Sequence, residues 1–347
     1  MKKVKSYAAQ GSDMPLAPFQ ITRRKPGPSD VHFEILYCGV CHSDIHQVRN
    51  EWGGSIYPMV PGHEIVGRVK SVGDKVTKFK TGDLAAVGCL VDSCRTCENC
   101  RHGMEQYCRN GSVGTYNSYE RDGVTPTYGG YSKEIVVHEN FVLKVPGNLP
   151  LEGVAPLLCA GVTTWSPLRH WNIGRNHRVG VSGLGGLGHM AVKFAAAFGA
   201  EVTMLSTSPK KEADARRLGA QKFLLTTNSQ SMRQHRGYFD FIVDTVSAPH
   251  DYNALLKLLA TNGTLICVGA PPKPVEIGVF NLLAQRKSIA GSMIGGLPET
   301  QEMLDYCGTN DIVSDVEVID MAYINEAYDR MLAGDVRYRF VIDMATL

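Results

Sequence analysis

Two hydrophobic patterns divide the chain. In the first part, apolar and polar positions alternate. "VHFEIL" (31–36), "HEIVGRVKSVG" (63–73) and "YSKEIVVHENFVLKVP" (131–146) therefore read as half-buried strands. Gly and Pro interrupt this region repeatedly, and up to residue 150 it is predicted to be β-rich and irregular. Beyond it, short apolar runs alternate with helical ones. "RVGVSG" (178–183), "EVTMLS" (201–206), "FDFIVDTVS" (239–247) and "TLICVGA" (264–270) read as buried strands. Between them, "GLGHMAVKFAAAFGA" (186–200), "PKKEADARRLGA" (209–220) and "YNALLKLLATNG" (252–263) read as helices. From 295 the chain returns to a mixed pattern, with a helix at "PETQEMLDYCGTN" (298–310) and a strand at "YRFVIDM" (338–344).

Repeated strand–helix–strand units predict a parallel sheet covered by helices on both faces. The fold class is α/β. A β-rich domain from 1–150 and 295–347 is joined to a doubly wound domain over 151–294. The 347 residues suit two cores rather than one. Lys and Arg number 36 against 34 Asp and Glu, without a basic block, so neither nucleic acid nor an anionic membrane is an expected partner. The basic start "MKKVKSYAAQGSDMPLAPF" has no apolar core of signal-peptide length, and no apolar run is long enough to span a bilayer. A cytoplasmic protein is expected. In that setting the ten cysteines are read as thiols, either metal ligands or small buried apolar groups.

"GLGGLG" matches G-x-G-x-x-G at Gly183, Gly185 and Gly188, with Leu184, Gly186 and Leu187 between them. It follows a strand and opens a helix, the context that makes the motif a dinucleotide site. The first glycine permits a tight turn, the second close backbone approach to a pyrophosphate, and the third close helix–strand packing. The helix N-terminus offers free N–H groups to the phosphates. The next strand ends "MLSTSPKK". Where an NAD enzyme usually carries an acidic residue for the ribose 2′-hydroxyl, this chain has Ser206, then Thr207, Ser208 and the pair Lys210 and Lys211. Hydroxyls and a cation suit a 2′-phosphate, so NADP is favoured, with Ser206, Thr207, Ser208 and Lys211 as its contacts. For Lys210 a solvated helix turn competes with that reading.

"DSCRTCENCRHGMEQYC" (92–108) sets Cys94, Cys97, Cys100 and Cys108 in a C-x2-C-x2-C-x7-C array, within a lobe taken as 88–112. Four thiolates make a closed tetrahedral zinc site with no open position, hence a structural clamp. A redox disulfide pair or an iron–sulfur cluster is the competing reading. A zinc with an open position needs other ligands, and the candidates are scattered. "CGVCHSDIH" (38–46) offers Cys41, His42 and His46, "VPGHEIVG" (60–67) offers His63 and Glu64, and "PLLCAGVTTW" (156–165) offers Cys159. Cys38 and Cys267, inside apolar strands, are read as core.

These stretches, with "NEWGG" (50–54), "GSMIGG" (291–296) and "DVRYRFVID" (335–343), occur here in an order and spacing that resembles the zinc-dependent medium-chain alcohol dehydrogenases. The chain is most similar to their cinnamyl-alcohol-dehydrogenase branch, which includes bacterial broad-range aldehyde reductases. The resemblance covers essentially the whole chain. It implies a GroES-like β-rich catalytic domain beside a Rossmann domain, two zinc ions per chain, NADP(H), and a small aldehyde or alcohol as substrate. It places the catalytic zinc on Cys41, His63 and Cys159, with Glu64 exchanging as a fourth ligand. Asp44 would orient the zinc-bound histidine, and Ser43 and His46 would form a proton relay.

The same resemblance puts His42 and Arg339 near the cofactor phosphates and Thr163 beside the nicotinamide. It extends the cofactor contacts to Val268, Gly269, Ser292 and Ile294. Trp52, Leu90, Tyr116 and Ile294 are its candidate substrate walls, which favours aromatic compounds over polar sugars. A homodimer through sheet edges near 275–295 is also implied. A dehydrogenase of the same fold acting on a polyol or a short aliphatic alcohol is the alternative. A zinc-free quinone reductase would lack the metal-ligand residues found here. A nucleic-acid module built on the cysteine lobe is disfavoured, because Glu98 and Glu105 interrupt Arg95, Arg101, His102 and Arg109.

Overall fold

The computed structural model describes residues 2–271 and 273–347. It forms two compact units. One runs to Val162 and resumes at Gly295–Leu347, and the other is Thr163–Ile294.

The first unit is built on a seven-stranded sheet. Its order is Val316–Asp320, Arg339–Asp343, Asp30–Gly39, Ile65–Val72, Leu84–Val87 and Leu143–Lys144, with Glu134–His138 also paired to Asp30–Gly39. Asp30–Gly39 is the organising strand. Val31, Phe33 and Ile35 alternate inward, all essentially inaccessible, as the sequence pattern requires. Its antiparallel register sets Cys38 opposite Ile65 and Gly39 opposite Val341. Beyond those pairs, Gly39 N–H donates to the Glu64 carbonyl at 2.9 Å and Val40 N–H to the Phe340 carbonyl at 2.9 Å. Three segments far apart in sequence, 40–46, 62–64 and 339–340, thus come together at one end of the sheet.

The boundary falls at Val162 rather than at 150. Val154, Ala155, Leu157 and Leu158 are buried, and the turn Ala155–Leu158 packs on the strands of the first sheet. The apolar turn is needed as core there, and it carries Cys159 with it.

The second unit is a six-stranded, wholly parallel sheet. Its order is Lys222–Leu225, Glu201–Ser206, Arg178–Ser182, Phe239–Asp244, Leu259–Cys267 and Ser288–Gly291. In chain order this is 3-2-1-4-5-6, the doubly wound arrangement. Val179, Val181, Val202, Met204, Ile242 and Val243 are wholly buried, as strands covered on both faces require. The expected helix over 252–263 ends at Leu258, and Leu259 begins the next strand. Leu255, Leu256, Leu258 and Leu259 suit a helix or a strand, so the pairing of Leu259 with Phe239 decides it.

At the turn after Arg178–Ser182, Gly183 holds φ at +87°. A Cβ at Gly188 would lie 1.8 Å from the Gly183 carbonyl oxygen, so only glycine lets the helix Gly188–Ala197 start this close to the strand.

Candidate active site and metal centres

The register of the first sheet gathers Cys41, His63, Glu64 and Cys159. Their ligand atoms lie within 4.8 Å of one another and all four residues are buried. Asp44 arranges them. It is completely buried in the helix His42–Val48 that follows Cys41. One carboxylate oxygen accepts from the Gly62 N–H (3.2 Å) and the His63 Nδ1 (3.2 Å). The other accepts from the Cys41 N–H (2.9 Å) and the Tyr131 hydroxyl (3.4 Å). Nδ1 of His63 is therefore the protonated nitrogen, and Nε2 is left as a ligand lone pair.

The electrostatics fit a divalent cation. The Cys41 thiol is held well below its ordinary value by the Cys159 thiol, whose Sγ is 4.0 Å away, against the effect of burial. Cys159 is pushed well up by Cys41, Cys89 and burial. Burial lifts Glu64 to about 7, against the pull of Arg339, and its Oε2 has no hydrogen-bond partner. Two thiols and a carboxylate around one lone pair are acceptors in excess, and a zinc ion supplies the missing positive charge. Arg339, read from the sequence as a phosphate contact, is buried with its guanidinium paired to Glu64, while its Nε remains without a partner.

Ser43 sits on the same helical turn, with its Oγ 3.6 Å from Cys41 Sγ. His46 directs Nδ1 at Glu51 (2.5 Å) and stacks on the exposed Trp52 with ring centroids 4.9 Å apart. Tyr116 is buried and stacks on His63 at 5.7 Å. Leu90 is also buried, and His42 opens the helix that carries Asp44. The sequence reading missed Glu51 and Cys89. Glu51 carries no motif of its own, and Cys89 was one unassigned thiol among ten.

The four-cysteine lobe is equally well formed. Cys94, Cys97, Cys100 and Cys108 also bring their sulfurs within 4.8 Å of one another. Backbone N–H groups point at the sulfurs, from Cys97 to Cys94 (3.3 Å), Cys94 to Cys108 (3.4 Å) and Arg109 to Cys97 (3.5 Å). The N–H groups of Thr96 and Cys97 hold Cys94 down to about 5. Thiolates stabilised by amides in a polar loop suit a closed zinc site.

In the second unit, a Cβ at Gly185 would meet nothing within 4 Å. Internal packing does not require glycine there, and the open face leaves room for a phosphate to approach the backbone. Leu184 is buried, whereas Gly186 and Leu187 complete the turn before Gly188. Ser206 Oγ receives the Ser208 N–H at 3.2 Å, and Thr207 is exposed. Lys211 Nζ donates to the Leu184 carbonyl at 2.7 Å, so this cation already ties the glycine turn to the segment after Ser206. Thr163 is buried in the helix Ala160–His170. The N–H groups of Val268 and Gly269 donate to the Asp244 carbonyl (both 3.0 Å), and that of Ser292 to the Cys267 carbonyl (3.2 Å). Ile294 holds a left-handed φ of 41°, strained for a β-branched residue.

Residues 27–147 match the alcohol dehydrogenase GroES-like domain and residues 186–308 the zinc-binding dehydrogenase domain. The NADP-dependent alcohol dehydrogenase C 1 of Mycolicibacterium smegmatis is 57% identical, over 100% of this chain and 99% of that one. This chain belongs to the zinc-binding alcohol dehydrogenases. The aldehyde reductase YahK of Escherichia coli is 55% identical over 99% of both chains. A cinnamyl alcohol dehydrogenase of Sorghum bicolor superposes with a TM-score of 0.96 at 46% identity, over 99% of this chain and 98% of that one. The two donor sets fit two zinc ions, as a zinc-binding dehydrogenase requires.

The two centres make different predictions. Cys159→Ala leaves the fold intact and lowers kcat/KM by at least roughly 1,000-fold, the several kcal/mol that a metal's charge contributes. Cys97→Ala instead lowers Tm by on the order of 10 °C, since metal binding there is folding energy. A Cys97→Ala protein that melts normally but is chemically dead contradicts this division.

Proposed function

We propose that this chain is an NADP(H)-dependent zinc alcohol dehydrogenase. It interconverts primary alcohols and aldehydes, works mainly as an aldehyde reductase, and prefers aromatic substrates. The observation that carries the reading is the buried Cys41–His63–Glu64–Cys159 cluster with its Asp44 support.

Zinc at that cluster supplies a Lewis acid for the substrate oxygen, and NADPH supplies the hydride. The protein does the rest. Asp44 fixes the ring plane and tautomer of His63. Arg339 holds Glu64 beside the cluster, where it would serve as an exchangeable fourth ligand. As hydride reaches the carbonyl carbon, Ser43 would deliver the balancing proton to the substrate oxygen, relayed from solvent by Glu51 and His46, and alcohol oxidation would run the same relay outward. Trp52, Leu90 and Tyr116 supply aromatic and aliphatic wall, and Tyr116 also braces His63.

The dinucleotide lies on the turn Gly183–Gly188, with Thr163, Val268, Gly269 and Ser292 as further contacts. No carboxylate stands at Ser206 to repel a 2′-phosphate, and Ser206, Thr207, Ser208 and Lys211 receive it. His42 remains the proposed contact to the cofactor phosphates, whereas the Arg339 guanidinium is taken up by Glu64 and its Nε is buried.

Two further readings concern setting. No helix of the described residues is long and apolar enough to cross a membrane, and the chain acts in the cytoplasm. It works as a homodimer through the edge strand Ser288–Gly291, where Val279, Phe280, Leu283, Ile289 and Met293 are exposed, Phe280 to 83%. Sedimentation of the intact protein is expected to give a dimer that Phe280→Glu converts to monomer. A wild-type monomer contradicts the dimer.

Initial rates on cinnamaldehyde with NADPH and NADH side by side test the chemistry. The expected result is a kcat/KM at least tenfold higher with NADPH, about 1.4 kcal/mol of discrimination. Equal or faster turnover with NADH removes the 2′-phosphate reading, and no turnover with either removes the aromatic substrate class.

A further inference from the structure

The strand Phe239–Asp244 ends in a loop that returns on itself. His250 Nδ1 lies 2.8 Å from the Ala248 carbonyl oxygen, and Nε2 lies 2.9 Å from Asp244 Oδ2. A carbonyl oxygen only accepts, so Nδ1 carries a hydrogen. In a neutral imidazole Nε2 is then a lone pair, and facing a carboxylate it would repel. The contact holds only with one further proton between Nε2 and Oδ2. That is either an imidazolium on a carboxylate or a neutral ring on a carboxylic acid.

The surroundings leave that proton to the pair. Asp244 is fully buried, and burial raises its carboxyl above the ordinary value. From the same strand end, Val246 N–H reaches Oδ1 at 3.4 Å, and the Ser182 hydroxyl faces the carboxylate from the neighbouring strand. Tyr252 stacks on His250 at 4.6 Å from the next helix, and Cys267 faces the group from the next strand. Burial and the Asp244 charge raise Tyr252 and push Cys267 up to about 11. Neither exchanges a proton near neutral pH.

The loop closed by this contact supports the glycine turn. Thr245 Oγ1 donates to the carbonyls of Ser182 (2.8 Å) and Gly183 (3.0 Å). The Val246 side chain backs Gly183, where a Cβ would lie 2.7 Å from its Cγ2. On the other side, a Cβ at Gly269 would lie 2.5 Å from the Val246 carbonyl oxygen. Residues 244–250 are thus a wedge between the turn Gly183–Gly188 and the segment Val268–Gly269.

We propose that Asp244 and His250 share one proton, that it latches the 245–249 loop under the dinucleotide turn, and that cofactor affinity depends on it. His250 is a positioning residue, and the proposal rests on the NADP(H) reading of this unit. The sign follows from the chemistry. A carboxyl raised in the folded state contributes below its titration, and the contribution is lost as pH rises through it. Once the proton leaves, two acceptors face each other and the loop opens.

Fluorescence titration of the zinc-loaded protein with NADPH, from about pH 5 to about pH 9, tests this. The wild-type Kd is expected to rise about tenfold across the range with a one-proton dependence. His250→Gln keeps an amide donor for Asp244 without a titrating proton, so its Kd stays within about twofold of the low-pH wild-type value. His250→Ala binds about tenfold more weakly throughout, while kcat at saturating NADPH is unchanged, which separates positioning from chemistry. The 2′-phosphate of NADPH titrates equally in every variant and cancels from the comparison. Identical pH profiles for wild type and His250→Gln overturn the latch. If NADPH does not bind at all, the dinucleotide reading has failed instead. The latch is then read from Tm, where the gap between His250→Gln and wild type must widen as pH rises, and a constant gap overturns it.

Discussion

One buried carboxylate fixes the chemistry of the first unit. Asp44 has no access to solvent, and a carboxylate in that position is tolerated only where donors converge on it. Four do, from Cys41, Gly62, His63 and Tyr131. Two of them belong to the proposed metal ligands Cys41 and His63, and one to Gly62, the residue before His63. The carboxylate therefore couples the Cys41 helix to the His63 turn and sets which histidine nitrogen faces the metal. The sheet delivers the segments, and Asp44 turns their proximity into a coordination geometry.

The second unit solves a similar problem with backbone. Its glycine turn presents N–H groups rather than charged side chains, so its shape must be held from behind. Gly188 makes the close approach possible, Lys211 ties Leu184 to the segment after Ser206, and Thr245 holds the Ser182 and Gly183 carbonyls. In both units a polar group behind the working residues carries the positional constraint. Such a group has a geometric role only in the folded chain.

That explains what the sequence could reveal. The cysteine lobe, the glycine fingerprint and the strand–helix alternation were legible because their chemistry demands particular residue types at short, fixed spacing. Cys41 and Cys159 were legible singly as candidate ligands, but their grouping at one site came only through resemblance, since no local rule joins them. The partner of Arg339 was not legible. Its place beside Glu64 follows from the pairing of Gly39 with Val341. Tyr116 was named as a pocket wall, but its stacking on His63 was not legible. The unit boundary and the end of the 252–258 helix were misplaced for one reason: an apolar-rich stretch does not say which surface it will cover.

The central claim is that Asp44 assembles the catalytic metal centre, and zinc content measures it most directly. Wild-type protein should hold two zinc ions per chain, as its two ligand clusters require. Asp44→Asn can no longer accept on both oxygens, and loss of such a supporting group typically costs about 10–100-fold in metal affinity. Under competition from a chelator, the variant should retain only the zinc of the four-cysteine lobe, with Tm little changed. An Asp44→Asn protein that keeps both ions at wild-type affinity would contradict the account.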